Sequence, residues 1–356
     1  MVSARVGERS VLTIRYKWHD RLDMEHIDIA YPTPAWGRGG VVAIGNFDGV
    51  HRGHQTLLHL AAKEAQQRGA PFGVVTFEPH PRTVFMPKQP VFRITPPELK
   101  SCILAACGVD FLVSLTFDRA FAKKPAEDFV IDELVGRLAV SHVVTGYDFH
   151  FGHGRRGSPE MMRSLGERFG FAVTIVEQVT DDSGLAPYSS SAIREALRQG
   201  DMAVAAEQLG YWWSVIGTVG HGDRFGRKIG FATINVSMNN GGAPRSGIYA
   251  MRVRKTEGDR RMWPGAGYVG KRPTLGEGPL VLEVHLLGFS GNLYGHKLMV
   301  EFIDFIRDDR AFATTDALRD QIGRDCREVE RRFKALTSHD SVSAFPIGRA
   351  QIEGRL

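Results

Sequence analysis

The 356-residue chain is 43% hydrophobic and 24% charged, an ordinary globular balance that excludes a disordered or fibrous protein. Its length exceeds what one average core accommodates, so two domains are expected. Against 40 Asp+Glu stand 45 Lys+Arg, a formal charge of +5 without a lysine-rich tail, which suits anionic small molecules better than nucleic acid. Cys102, Cys107 and Cys326 form no CxxC pair, so neither a disulfide framework nor a structural zinc site is expected. Met1 to Asp20 lacks the apolar block of a secretory leader, and no apolar run approaches membrane-spanning length. The expectation is a cytoplasmic protein with small-molecule partners, no nucleic acid and no membrane, acting as a monomer or weak homo-oligomer.

Residues 1–37 read as an N-terminal extension with weak periodicity, closing on the loop-like Pro32-Thr33-Pro34. Val41 to Gly45 is a short, fully apolar run, the pattern of a strand buried on both faces. A helical period follows from about His54, with Leu57, Leu58, Ala61, Ala62 and Ala65 on one face and Gly69 placed to end it. Further strands are expected at Phe72 to Phe77, Phe111 to Leu115, His142 to Thr145 and Phe171 to Val176, with helical segments between them. Strands alternating with helices argue a doubly wound parallel sheet over 38–205. The pattern then changes. Trp213 to Val219, Ala232 to Val236, Gly247 to Val253, Gly267 to Gly270 and Leu280 to Leu287 alternate apolar and polar residues between Gly and Pro turns. That pattern predicts an antiparallel β-barrel over 206–338, finished by helical segments from Thr315 to Leu336. Residues 339–356 read as a polar C-terminal tail without assignable chemistry.

The segment Gly45-Asn46-Phe47-Asp48-Gly49-Val50-His51-Arg52-Gly53-His54 lies between the first buried strand and the first helix. In an open α/β sheet that position is a ligand crevice, and a helix N-terminus there favours a phosphate. His51 and His54 can both project into such an anion site, where imidazole donors stabilise an in-line nucleotidyl transfer, and Gly53 leaves room for close backbone approach. A solvated turn, or a pair of capping residues, is the competing account. In the second half, Gly217 to Gly230 is a basic, glycine-rich stretch able to wrap a polyphosphate, or else a generic hairpin. Thr233 and Asn235 add hard oxygen donors suited to Mg²⁺ beside ATP. Glu283 is the one acid of the apolar run Leu282-Glu283-Val284-His285-Leu286, placed either as a general base toward a primary hydroxyl or as half of a structural ion pair.

The string GNFDGVHRGH resembles the adenylyltransferase module of prokaryotic bifunctional riboflavin kinase/FAD synthetases, within the HxGH nucleotidyltransferase superfamily. Thr76 to Pro81, Gly146 to Gly152 and Ser189 to Arg194 extend the likeness, and Gly217 to Asn235 is similar to the kinase motif GxxxGRxxGFPTAN. Gly247 to Ala250, Gly270 to Thr274, Asn292 to Gly295 and Phe302 to Phe312 add further similar strings, so the resemblance covers about residues 38–335. It implies that His51 and His54 contact the ATP phosphates, within a loop that includes Gly45 and Gly53. Ser190, Ser191 and Arg194 would hold the triphosphate, and Asn46 and Asp148 would position the nucleotide. Phe47, Asp48, Pro79, His80 and Phe117 would line the flavin side. In the barrel, Thr233 and Asn235 would bind Mg-ATP, Glu283 would deprotonate riboflavin, and Gly222, Gly226 and Arg227 would shape the phosphate loop. Arg307 and Phe312 would help close the flavin pocket.

The implied function is phosphorylation of riboflavin to FMN in the barrel and transfer of AMP from ATP to FMN, giving FAD, in the α/β domain. Four positions depart from the pattern: Ala232, Ile234, Tyr268 and Gly288. Ala232 replaces a proline that would fix φ, which implies a looser loop and a slower kinase or weaker ATP affinity. The rival readings are an adenylyltransferase with an inactive flavin-binding barrel, a non-catalytic flavin or nucleotide sensor, and an HxGH transferase acting on another nucleophile. The FEPHP loop and the appended barrel argue against the last.

Overall fold

A computed structural model describes residues 2–7, 11–17, 23–181, 184, 186–222, 226, 229–238, 242–259, 261–271, 280–338 and 340–356. The chain forms two compact units: Met1–Val91 with Lys100–Tyr188, and Phe92–Leu99 with Ser189–Leu356.

The first unit is built on an eight-stranded sheet of order β1-β2-β3-β6-β5-β4-β7-β8. Its strands are β1 (Val2–Gly7), β2 (Val11–Lys17), β3 (Asp23–Ile27), β4 (Val41–Ile44), β5 (Phe72–Glu78), β6 (Phe111–Thr116), β7 (His142–Gly146) and β8 (Ala172–Val176). From β3 to β8 every pairing is parallel. The apolar runs become strands for the expected reason: all four residues of β4 and the first six of β5 are buried. The core gathers Val42, Ile44, Val75, Phe111, Val113 and Val143 from these strands. Because β5 and β7 flank β4 on opposite sides, the order reverses at β4, and its carboxyl end faces a topological switch point. The helix Arg52–Arg68 follows, and Gly69, in the left-handed region at φ 60°, closes it.

The N-terminal residues differ from the expected extension. β1 and β2 pair as an antiparallel hairpin, and β3 joins the sheet edge in parallel with β6, burying Met24 and Ile27.

The second unit holds a closed antiparallel barrel of order β10-β13-β12-β11-β14-β9. The strands are β9 (Ser214–Gly220), β10 (Thr233–Val236), β11 (Gly247–Lys255), β12 (Met262–Lys271), β13 (Leu280–Leu286) and β14 (Lys297–Arg307). Tyr211, Trp213, Tyr249 and Phe302 are fully buried, and Trp213 packs on Phe302 with ring centroids 4.6 Å apart. The detached segment Phe92–Leu99 belongs to this core: the Trp213 indole donates to Ile94 O (2.9 Å), and Phe92 meets the Trp213 ring edge-on. A single helix, Thr315–Ser338, replaces the expected pair of helical segments.

The last residues are also folded. Pro346–Ile352 is a helix, and Ile347, Ala350 and Leu356 are buried. The fully buried Gln351 side chain bonds Trp212 N and O (2.8 Å each) and Ser214 Oγ (2.9 Å). Behind it, Glu301 on β14 pairs with Arg252 and with Arg254 (3.2 Å) on β11, and Arg254 also donates to Leu356 O at 2.9 Å. Replacing Gln351 by Leu keeps the volume but strands buried backbone groups of Trp212. The expected cost is roughly 1–3 kcal/mol, seen as a lower midpoint in chemical denaturation of the second unit. A change below about 0.5 kcal/mol would show that the terminal segment contributes nothing.

Candidate active sites

The loop after β4 is held in an unusual conformation. Phe47 and Val50 both have positive φ (47° and 38°), and both side chains are fully buried. Such strain in non-glycine residues persists only where the surroundings enforce it. Part of that enforcement comes from Asn46, whose carbonyl accepts from Thr76 Oγ1 (3.2 Å) and Lys100 Nζ (3.0 Å). His51 caps the helix Arg52–Arg68: its Nδ1 accepts from His54 N at 3.3 Å. An accepting Nδ1 carries no proton, so in neutral His51 the donor N–H is at Nε2. The His51 and His54 rings stack at 3.7 Å, and Phe47 packs 5.2 Å from His54.

Burial pushes the pKa of His54 well below the usual histidine range, with the charges of His51 and Lys100 acting in the same direction. His54 is therefore neutral at pH 7, and its buried Nδ1 has no partner among the described residues. The capping and anion-site accounts of this HxGH turn are thus compatible, because the cap engages one nitrogen of His51. A Cβ on Gly53 would lie 3.2 Å from the His51 ring and 3.4 Å from Tyr188 Cβ, so glycine keeps this turn tight.

Asp48 is buried, and Asp148 is exposed just beyond the carboxyl end of β7. Phe117 is the hub of an aromatic group with Phe77, Phe85 and Phe121, at centroid distances of 5.7–6.1 Å. Pro79 follows a cis peptide bond, and His80 caps the short helix Pro81–Phe85 through Arg82 N. Ser190, Ser191 and Arg194 lie on the helix Ser190–Gln199 in the second unit, where Ser189 is the capping hydroxyl and Arg194 Nε donates to Phe92 O at 2.7 Å.

In the barrel, three chemically relevant residues fall in one row. Asn235 on β10 and Tyr268 on β12 both lie directly opposite Glu283 on β13. Opposed residues of an antiparallel ladder share a face, so the amide, carboxylate and phenol are neighbours. Thr233, opposite His285, occupies the next row on that face. A Cβ on Gly222 would approach the Asn235 side-chain amide to 2.3 Å, which explains glycine there. Gly226 lies near Thr233, while Arg227 is outside the described residues.

The departures also find places. The Ala232 carbonyl accepts from His285 Nδ1 (2.9 Å), Ile234 is opposite Val284, and Gly288 adopts φ 67°. Tyr268 reaches Asp309 Oδ2 at 2.9 Å. Arg307 makes a two-pronged pair with the buried Asp325 at 2.7 and 2.9 Å, and both Arg307 and Arg310 lie over the Phe312 ring.

Sequence reasoning missed Lys100 and Asp309. Lys100 had a readable signal, a lone cation in the apolar run Leu99 to Ala106, the same signal that drew attention to Glu283.

A switch-point loop presenting stacked histidines, joined in one chain to a barrel with an Asn–Glu–Tyr row, defines a two-module nucleotide-dependent transferase. Residues 34–191 match the family model for FAD synthetase, and residues 209–333 match that for riboflavin kinase. The bifunctional riboflavin kinase/FMN adenylyltransferase of Escherichia coli (strain K12) is 39% identical over 299 residues, covering 84% of this chain and 94% of the relative. Its namesake from Bacillus subtilis (strain 168) is 36% identical over 303 residues, covering 83% and 93%. A crystal structure described as a macrolide-efflux protein from Streptococcus pneumoniae superposes with TM-score 0.75 at 30% identity, covering 86% of this chain and 98% of that one. The chain belongs to the bifunctional riboflavin kinase/FMN adenylyltransferase family. Among the described residues, no helix is long and apolar enough to cross a membrane.

Proposed function

We propose that the first unit transfers AMP from ATP to FMN through the Gly45–His54 loop, and that the barrel phosphorylates riboflavin through Glu283. The observation that carries the reading is the stacked His51–His54 pair at a helix N-terminus, at the switch point of the parallel sheet. A phosphate oxygen of FMN attacks the α-phosphorus of ATP, and pyrophosphate leaves. The attacking oxygen is already anionic, so no general base is needed. The imidazole N–H donors and the helix N-terminus stabilise the charge that builds on the α-phosphoryl oxygens. Asp48, Asp148, Pro79, His80 and Phe117 are assigned to orienting nucleotide and flavin around that loop.

In the barrel, Glu283 accepts the proton of the ribityl primary hydroxyl as that oxygen attacks the γ-phosphorus and ADP departs. Thr233 and Asn235 supply neutral oxygens on one face, a donor set that fits a Mg²⁺ ion already carried by nucleotide phosphates. Bound there, the ion would neutralise phosphate charge, and Gly222 and Gly226 leave room for the polyphosphate. Arg307 and Phe312 border the flavin pocket, with Arg307 fixed by Asp325.

The test is direct. Purified protein given riboflavin, ATP and Mg²⁺ is expected to yield FMN and then FAD, resolved by chromatography. FAD formed only from supplied FMN would overturn the kinase assignment, and absence of both products would favour a sensor.

A further inference from the structure

Lys100 is a buried ammonium at the edge of the adenylyl-transfer loop. Its side chain is 3% exposed, yet it bonds Glu78 Oε1 at 2.8 Å, Asn46 O at 3.0 Å and Thr76 Oγ1 at 3.4 Å. An ammonium has three N–H donors, and three acceptors surround this one. Thr76 and Glu78 belong to the carboxyl end of β5, whereas Asn46 begins the strained loop that carries the histidines. The cation therefore ties the loop to the neighbouring strand at the switch point. A buried lysine is costly unless it is paired and hydrogen-bonded: Glu78 supplies the counter-charge, and the remaining N–H groups need acceptors. One of those acceptors is the Asn46 carbonyl, which couples the position of the cation to that of the loop.

We propose that Lys100 is a positioning residue for adenylyl transfer: it locks the Asn46 end of the Gly45–His54 loop and holds a fixed positive charge behind the histidine pair. The proposal rests on the assignment of His51 and His54 to that reaction. Lys100 acts through the loop and makes no contact with the reacting atoms. The groups that face His54 are His51 from its own loop and Lys100, whose partner Glu78 comes from β5; both disfavour protonation of His54.

Steady-state FAD formation from supplied FMN is measured for Lys100→Met and Lys100→Arg, with riboflavin phosphorylation as an internal control. Lys100→Met is expected to lower kcat roughly tenfold or more, with KM for ATP and FMN within about threefold of wild type. Without the cation behind it, His54 protonates more readily, so the acid limb of kcat/KM moves to higher pH. Lys100→Arg restores most of the rate, and riboflavin phosphorylation is unchanged in both. A kcat for Lys100→Met within about twofold of wild type overturns the inference, as does a loss that arginine leaves uncorrected. If Lys100→Met fails to fold, Lys100→Gln decides: it keeps an N–H donor but removes the fixed charge, and wild-type kcat with an unshifted acid limb in that variant also overturns the inference. Retention of FAD synthesis by His54→Ala would instead remove the assignment beneath it.

Discussion

His54→Ala is expected to lower FAD formation by roughly 10²–10³-fold while leaving riboflavin phosphorylation intact, so that FMN accumulates. The size follows from the loss of one preorganised donor at an oxyanion in a water-poor site. His54 is neutral at pH 7, and its ring is held between His51 and Phe47. Substitution by alanine removes both its hydrogen-bonding capacity and its packing. The helix cap survives, because His51 Nδ1 accepts from the backbone N–H of residue 54. This separation makes the variant informative: the loop keeps its cap while losing one donor. Chromatography of the products checks it, and FAD formation within about tenfold of wild type would count against the assigned role.

The converse result is expected at the barrel. Glu283→Gln should reduce FMN formation by roughly 10²–10⁴-fold, while supplied FMN is still converted to FAD. Glutamine preserves shape and hydrogen-bonding reach but accepts a proton poorly, so it isolates proton abstraction from packing. Glu283 lies between Asn235 and Tyr268 in the ladder, and the amide retains polar neighbours on both sides. Near-normal FMN formation by this variant would return Glu283 to the structural ion-pair account. Paired with the His54 variant, it also separates two active sites from one: each substitution should stop one product and spare the other reaction.

Much of the sheet and barrel was legible because burial writes a local pattern. β4 and β5 are buried along almost their whole length and read as unbroken apolar runs. Other elements depend on partners far away in the chain. In β3 the buried residues are Met24 and Ile27, a spacing that fits no period-two alternation. β14 carries Glu301 fully buried at its centre, a choice intelligible only beside Arg252 and Arg254 on another strand. The terminal segment looks polar because Gln351 meets its buried partners 139 residues earlier. In the site, the HxGH spacing carried its own meaning, since a helix start and a preceding strand supply the chemistry. The placement of Tyr268 beside Glu283 required the register between β12 and β13. The three-way clasp made by Lys100 required the parallel pairing of β4 with β5.

The excursion of Phe92–Leu99 into the second unit bears on how such an enzyme is divided or recombined. The chain passes between the units three times, after Val91, after Leu99 and after Tyr188, so no single cut releases a complete barrel module. A fragment starting at Ser189 lacks the carbonyl that receives the Trp213 indole, the Phe92 carbonyl that anchors Arg194, and the Glu98 partner of Lys297. Gene fission or domain exchange at that junction would leave a buried indole N–H unmet. Two activities that look separable by sequence are thus bound to a shared inheritance by eight residues of borrowed chain.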